Sequence, residues 1–249
     1  MDKIVQTFKG FSGNQVYLME GSRGLFVRKI GNISRNVERL TALNNLDFPV
    51  PEIYNHTNNT LDMEYIHGLD IKTYLKLNHP EKLTQFLIDT MRNVNHSGGL
   101  LKDYTDVYFN KLDEIDFAYL PFTSRELIDR LDPIWGQNYS YIGDFTLENI
   151  VYSEESGFIL IDCATVEYDS WVFDIAKLRQ DLELKWFLRD DDAMLDVKIN
   201  YINQRLKLEF PSAYNDDMLI LQLLRVYRHA AVGSPEHNFI LEGINRLWK

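Results

Sequence analysis

The stretch Ile142-Gly143-Asp144-Phe145-Thr146-Leu147-Glu148-Asn149, together with Ile161-Asp162, decides the fold that we expect for this chain. Four residues separate Asp144 from Asn149, and twelve separate Asn149 from Asp162. This spacing of Asp, Asn and Asp is typical of a phosphoryl-transfer site, where a protein holds Mg²⁺ on the phosphates and orients an acceptor oxygen. An Asn amide and an Asp carboxylate supply the hard oxygen ligands that Mg²⁺ prefers. A second carboxylate can take the proton of the acceptor hydroxyl.

Two short runs with β character lie between these polar residues, from residue 149 to 153 and from 157 to 161. They predict a β-hairpin with an Asp just before its first strand and another just after its second. A structural hairpin that carries Asp at both ends by chance is the alternative, and the rest of the chain argues against it.

Length, charge and cysteine content exclude several classes of protein. The 249 residues suffice for one large domain or a two-lobed one. A net charge of −11 disfavours sequence-independent binding to nucleic acid, and an acidic surface repels anionic membranes. The single cysteine, Cys163, suits a reducing compartment, and the chain has no apolar run of about 20 residues and no apolar stretch at its start that would indicate a signal peptide. We therefore expect a cytoplasmic protein with no nucleic-acid or membrane partner.

Hydrophobic periodicity divides the chain into a strand-rich part and a helical part. Strand patterns occur at residues 3–8, 15–19, 25–30 and 60–65, with one helix among them that Ser34 can cap. Helical spacing dominates from about residue 69, and Thr123-Ser124-Arg125-Glu126 is typical of a capping box. The predicted fold class is α+β, with an N-terminal antiparallel sheet lobe that carries one helix and a larger helical C-terminal lobe.

These motifs resemble, in order and across most of the chain, those of the aminoglycoside phosphotransferase and choline kinase group of small-molecule kinases. The resemblance implies the two-lobed protein-kinase-like fold, with residues 1–66 as the nucleotide-binding lobe and 67–249 as the lobe with the catalytic loop and the acceptor site. It implies that Asp144 is the catalytic base and that Asn149 and Asp162 hold Mg²⁺. By the same resemblance Asp174 braces the catalytic loop, and a helix N-cap is the simpler role for that residue.

The resemblance also implies an ATP site in the first lobe. The loop Gly10 to Asn14 is similar to the one that covers the nucleotide phosphates, and Ser12 can hydrogen-bond to a phosphate oxygen. Strand alternation allows only one of Arg28 and Lys29 to face the nucleotide. The family pattern favours Arg28, where the family usually has lysine. This alignment places Phe26 against the adenine and pairs Arg28 with Glu38 of the following helix; the opposite register places Val27 and Lys29 there instead.

The segment Leu61 to Gly68 is similar to the strand and hinge that join the two lobes. By resemblance, Met63 lies at the back of the adenine pocket, while the carbonyl of Glu64 and the amide of Ile66 bind the adenine edge. One further departure is Ile142, which occupies a position where the family usually has histidine.

The activity implied is transfer of phosphate from ATP, with Mg²⁺, to a hydroxyl of a small molecule such as a sugar, an aminoglycoside or an amino alcohol. The alternative from a different class is a nucleotide-binding pseudokinase that serves as an interaction or regulatory module, which the departures at Arg28 and Ile142 motivate. A protein kinase is a further alternative, but the interval from Asp162 to Asp174 holds no recognisable activation segment.

Overall fold

We describe the fold from a computed structural model of the chain, which defines residues 2–8, 14–131, 134–189 and 193–249. The residues form two compact units. The first unit comprises the chain up to His79 together with Ile142–Val166, and the second comprises Pro80–Tyr141 and Glu167–Lys249. The predicted division into lobes at residue 66 stays a prediction.

Strands dominate the first third of the chain, and helices dominate the rest. The strands are β1 (Lys3–Phe8), β2 (Gln15–Gly21), β3 (Gly24–Ile30), β4 (Ile53–His56), β5 (Thr60–Glu64), β6 (Leu69–Asp70), β7 (Leu101–Asp103), β8 (Trp135–Gln137), β9 (Ile150–Ser153) and β10 (Gly157–Leu160). The α-helices are α1 (Ser34–Asn45), α2 (Ile71–Leu77), α3 (Glu81–His96), α4 (Thr105–Leu112), α5 (Ser124–Arg130), α6 (Trp171–Glu183), α7 (Asp196–Glu209), α8 (Asp216–Tyr227) and α9 (Pro235–Leu247).

The first unit contains an antiparallel sheet of five strands in the order β1-β2-β3-β5-β4. Sequence alternation predicted four of these strands. It missed β4, because this strand has only four residues and two of them are exposed at the sheet edge. The strand β3 lies in the middle of the sheet, between β2 and β5, so both of its neighbours fix the direction of each side chain.

Helix α1 follows β3 and buries Leu40 and Leu43. The prediction that Ser34 caps this helix is wrong: Ser34 is its first helical residue, and Ile33 at the N-cap position provides no side-chain cap. The buried face of α1 also carries two polar side chains, Asn36 and Arg39. A buried polar group needs hydrogen-bond partners, and these two find theirs in the residues that the sequence assigns to the site.

The predicted β-hairpin is confirmed as β9 and β10, which pair antiparallel, with β6 on the other side of β9. A short 3-10 helix, Leu147–Asn149, leads into β9. The rings of Tyr74 on α2, Tyr152 on β9 and Phe158 on β10 pack together with centroids 4.7 to 5.0 Å apart. This cluster fixes the hairpin against α2, and so holds both ends of the hairpin in the first unit.

Among its described residues, the second unit has helices and one short antiparallel strand pair, β7 and β8. Its core is formed by side chains of α4, α6, α8 and α9, among them Tyr108, Phe173, Leu219, Leu223 and Ile240. The predicted capping box is confirmed at α5, where Thr123 and Glu126 each bond to the other's backbone. Over the described ranges, none of the helices combines the length and the apolar character that crossing a membrane requires. An antiparallel sheet followed by a helical unit is the predicted α+β class.

Candidate active site

The two acidic residues of the motif both adopt a backbone conformation that is unusual for residues other than glycine. The φ angle is 57° at Asp144 and 56° at Asp162. Asp is among the few side chains that tolerate this left-handed region, and such strained conformations cluster at functional sites. Asp144 is exposed although its neighbours Gly143 and Phe145 are buried. The local backbone therefore presents a carboxylate at the surface of an otherwise buried loop.

Gly143 allows this loop to approach the segment that follows Asp162. Its φ angle is 86°. A Cβ at this position would lie 2.0 Å from the carbonyl oxygen of Ala164. Only glycine satisfies both conditions, because it has no Cβ and adopts positive φ without strain.

Asn149 connects the two ends of the motif. Its side-chain Nδ2 donates to the backbone oxygen of Asp144 at 2.9 Å and approaches the Asp144 carboxylate at 3.4 Å. Its backbone oxygen accepts from the amide of Ile161 at 2.9 Å, one residue before Asp162. The structure thus brings Asp144, Asn149 and the start of the Asp162 turn together, in the order that the sequence spacing indicated.

Lys29, and not Arg28, points at the motif. The Lys29 side chain is 6% exposed, and its ammonium donates to Oδ1 of Asp162. Arg28 lies on the opposite face of β3, where it forms a bidentate ion pair with Asp62 at 2.6 and 2.7 Å and a further contact with Asp2 at 3.2 Å. The hydrogen bond to Asp62 is the main cause that raises the pKa of the Arg28 guanidinium. The expectation that Arg28 faces inward and Lys29 points away is wrong.

The pairing of β3 with β5 explains this correction. Directly paired residues of antiparallel strands share a face, and the pairs are Val27 with Met63, Arg28 with Asp62 and Lys29 with Leu61. Met63 therefore lies on the Lys29 face. The sequence interpretation placed both Met63 and Arg28 at the nucleotide, and the observed register does not permit that combination.

The same register removes Phe26 from the Lys29 face. Phe26 is buried on the side of Arg28, whose guanidinium lies 5.3 Å from the centre of its ring. Val27 occupies the position on the Lys29 face that the sequence interpretation gave to Phe26. The sequence indicated Val27 only through the opposite strand register, in which Val27 and Lys29 face the nucleotide.

Helix α1 contacts the motif through side chains that sequence reasoning missed. Asn36 donates from Nδ2 to Oδ1 of Asp162 at 3.1 Å and to the carbonyl of Cys163 at 2.9 Å. Arg39 donates from Nε to the carbonyl of Ile142 at 3.3 Å. Glu38, the predicted partner of the strand cation, is exposed on the other side of the helix, so its pairing with Arg28 is also wrong.

The residues predicted to form the hinge are defined in the structure, and both their hinge role and their contacts with adenine remain predictions. Met63 is buried in β5, and the amide of Glu64 donates to the carbonyl of Glu52 at 2.8 Å. Ile66 is half-buried in the extended segment that follows. A Cβ at Gly68 would lie 2.3 Å from the carbonyl oxygen of Tyr152. This close approach places the backbone at Gly68 directly against β9.

Two further predicted residues belong to other parts of the chain. Ser12 lies outside the described residues. Asp174 is buried in the first turn of α6, while Ser170 occupies the N-cap position. The helix N-cap interpretation of Asp174 is therefore wrong, and its bracing role stays a prediction. Ile142 is fully buried, so an apolar side chain fills the position where the family usually has histidine.

The oxygens of Asn149 and Asp162 fit a Mg²⁺ ion. The Nδ2 of Asn149 is directed at Asp144, which leaves the amide Oδ1 for a ligand. Lys29 and Asn36 both contact Oδ1 of Asp162, and half of that side chain is exposed. Among the described residues, no group of three or more His, Cys, Asp or Glu side chains is close enough to hold a metal. One or two protein oxygens suffice for Mg²⁺ when phosphates and water complete its shell.

Comparison of the sequence with known proteins identifies no relative: no protein-family model matches it, and no curated protein matches it. Solved structures do match. A thermostable mutant of the aminoglycoside phosphotransferase APH(4)-Ia superposes with a TM-score of 0.69 at 10% identity, over 99% of this chain and 94% of that chain. A ternary complex of another mutant of that protein with AMP-PNP and hygromycin B gives a TM-score of 0.68 at 9% identity, over 98% and 94% of the two chains.

A kinase of another substrate class has the same fold. The ethanolamine kinase of Plasmodium vivax superposes with a TM-score of 0.55 at 12% identity, over 98% of this chain and 81% of that chain. At this level of identity the likeness concerns the fold. The fold predicted from the motifs is therefore confirmed: this chain has the fold of small-molecule phosphotransferases, including aminoglycoside and ethanolamine kinases.

Gly143→Ala is expected to destabilise the protein more than Gly157→Ala, and the comparison isolates the contact with Ala164. Both glycines have positive φ, 86° and 76°, but a Cβ at Gly157 meets no atom within 4 Å. The Gly157 variant bears only the conformational strain, about 1–2 kcal/mol. The Gly143 variant also has to displace the Ala164 carbonyl, which adds roughly 1–3 kcal/mol. Urea denaturation measures both losses, and equal losses would contradict the close approach of the two segments.

Proposed function

We propose that this protein is an ATP-dependent, Mg²⁺-requiring phosphotransferase that phosphorylates a hydroxyl of a small molecule such as a sugar, an aminoglycoside or an amino alcohol. The observation that carries this proposal is the assembly of four side chains within the first unit. Lys29 contacts Asp162, and Asn149 contacts Asp144 and pairs with Ile161 next to Asp162. These are a cation, two metal-ligand oxygens and a base, which are the parts that phosphoryl transfer needs.

Lys29 is the residue that we assign to the ATP phosphates. Its ammonium is a compact point charge with three donors, so it can hold a phosphate oxygen while it keeps its contact with Asp162. Val27 and Met63 share the Lys29 face of the sheet. Their apolar side chains are therefore the surface that we assign to the adenine ring, in place of Phe26.

Asn149 and Asp162 are the residues that would hold Mg²⁺ against the phosphates. The ion would supply positive charge that neutralises the phosphate oxygens as the reaction proceeds. Within the chain itself, Lys29 and Asn36 keep Oδ1 of Asp162 occupied and so restrict the orientation of the carboxylate. Asn149 fixes the backbone of Asp144 through its amide.

Asp144 is the residue that we assign to the acceptor. Its exposed carboxylate can accept a hydrogen bond from the acceptor hydroxyl, orient that oxygen for attack and take the proton as the new bond forms. The left-handed backbone and the contacts from Asn149 hold it in place. Phosphoryl transfer depends mainly on such positioning and on charge stabilisation.

The fold neighbours support a small molecule as the acceptor. The matched structures include a complex with AMP-PNP and hygromycin B and an ethanolamine kinase. A net charge of −11 is compatible with a cationic acceptor such as an aminoglycoside or an amino alcohol. The pseudokinase alternative rested on Arg28 and Ile142 as departures from the family. The first departure no longer supports it, because the cation that contacts Asp162 is Lys29.

Lys29→Met is expected to weaken ATP binding by about tenfold or more, since a hydrogen bond to a charged group contributes roughly 1.5–3 kcal/mol. Arg28→Met should leave ATP affinity within about twofold, because Arg28 lies on the other face of β3. Titration calorimetry with Mg²⁺ measures both. If Arg28→Met is the more damaging change, the nucleotide does not bind on the Lys29 face.

Asp144→Asn is expected to lower kcat by roughly 10²-fold or more, the usual scale for a general base, and to change ATP affinity little. Release of ADP from ATP and Mg²⁺, measured across a panel of sugars, aminoglycosides and amino alcohols, identifies the acceptor and the effect together. Glu148→Gln, which neutralises another exposed carboxylate of the same loop, serves as the matched control and should stay near wild-type activity. Equal inactivity of the wild type and Asp144→Asn with every acceptor, while both bind ATP, would favour the pseudokinase alternative.

A further inference from the structure

Asn36 is a buried polar residue that contacts Asp162, one of the two residues assigned to Mg²⁺. The residue is 6% exposed and lies in the first turn of α1. Its two donor contacts go to adjacent groups of one turn, the Oδ1 of Asp162 at 3.1 Å and the carbonyl oxygen of Cys163 at 2.9 Å. A single amide group therefore holds both the side chain of Asp162 and the backbone that follows it.

The start of α1 is tied to the same turn by its backbone. The carbonyl of Arg35 accepts a hydrogen bond from the amide of Thr165 at 3.0 Å. Together with the two contacts of Asn36, this makes three hydrogen bonds between two successive helix residues and residues 162–165. These bonds hold Asp162 in its left-handed conformation, which is unfavourable for a residue with a Cβ.

The geometry points to Asn36 as the positioning residue of the carboxylate that binds Mg²⁺, an inference that rests on the proposed function. Asn36 acts through Asp162 and does not itself touch the nucleotide. It shares Oδ1 with Lys29, and half of the Asp162 side chain stays exposed, so that a cation can reach the carboxylate.

The chemistry of an amide suits this position better than that of a carboxylate. The N–H donors of Asn36 stabilise the negative charge on Asp162 and add no charge of their own. A carboxylate at position 36 would repel both Asp162 and the Cys163 carbonyl. The neutral donor therefore keeps the Lys29 ammonium on Asp162 and the carboxylate in one orientation.

Two substitutions test the role of Asn36. Asn36→Asp keeps the shape of the side chain and replaces its donors by acceptors, and Asn36→Leu removes hydrogen bonding at similar size. Asn45→Asp and Asn45→Leu are the matched controls, because Asn45 is exposed at the other end of the same helix. The readout is the melting temperature of each protein with ATP, titrated with Mg²⁺ and compared with EDTA, since a ligand of the native state raises its stability.

In both Asn36 variants, the Mg²⁺ concentration that gives half of the ATP-dependent stabilisation should rise about 10- to 100-fold, the usual effect of losing a group that orients a metal ligand. The stabilisation by ATP in EDTA should stay within twofold of wild type, and the Asn45 variants should behave as wild type throughout. A purely structural role would lower the melting temperature without ligand and leave the Mg²⁺ requirement unchanged.

The possible outcomes separate this inference from the proposed function. If wild type shows the Mg²⁺-dependent stabilisation and the half-effect concentration in both Asn36 variants stays within twofold of it, Asn36 is not a positioning residue and the proposed function stands. If wild type itself shows no Mg²⁺-dependent stabilisation by ATP, both the proposed function and the inference are overturned.

Discussion

The ion pair between Lys29 and Asp162 is the contact on which the rest of the site depends. A buried ammonium is tolerated only when it is paired, and Lys29 on the central strand β3 finds its partner at the end of the β9–β10 hairpin. This pairing fixes which face of β3 is directed at the motif. It also helps to set the orientation of Asp162, because Lys29 and Asn36 both donate to its Oδ1. Strand β3, helix α1 and the hairpin are thereby linked in one unit.

The part of the site that is local in sequence was predictable. Asp144, Asn149 and Asp162 flank a hairpin, and a hairpin brings its two ends together whatever the rest of the fold does. Spacing and residue type therefore sufficed to predict that they lie together, and the structure joins Asn149 to both ends by hydrogen bonds. The left-handed conformation of the two Asp residues is a consequence of packing between distant segments, such as Gly143 against Ala164, and spacing does not encode it.

The side chains of β3 and α1 were assigned wrongly for two different reasons. Alternation along β3 separates Arg28 from Lys29 but does not say which faces inward. That depends on partners distant in sequence: Asp162 for Lys29, and Asp62, which β5 places opposite Arg28. The error at α1 was avoidable. At 100° per residue, position 38 lies about 200° around the helix from position 36, and Leu40 and Leu43 already mark the buried face that includes Asn36.

The central claim is that the Lys29 face of β3 receives the nucleotide phosphates. An acyl-phosphate derivative of ATP tests it most directly, because it transfers its acyl group to an amine beside the bound phosphates, and peptide mass spectrometry locates the modified lysine. We predict modification of Lys29 that excess ATP suppresses, against ATP-insensitive modification of exposed lysines such as Lys3. Modification of Lys29 that ATP leaves unchanged, or ATP-sensitive modification confined to other lysines, would contradict the claim.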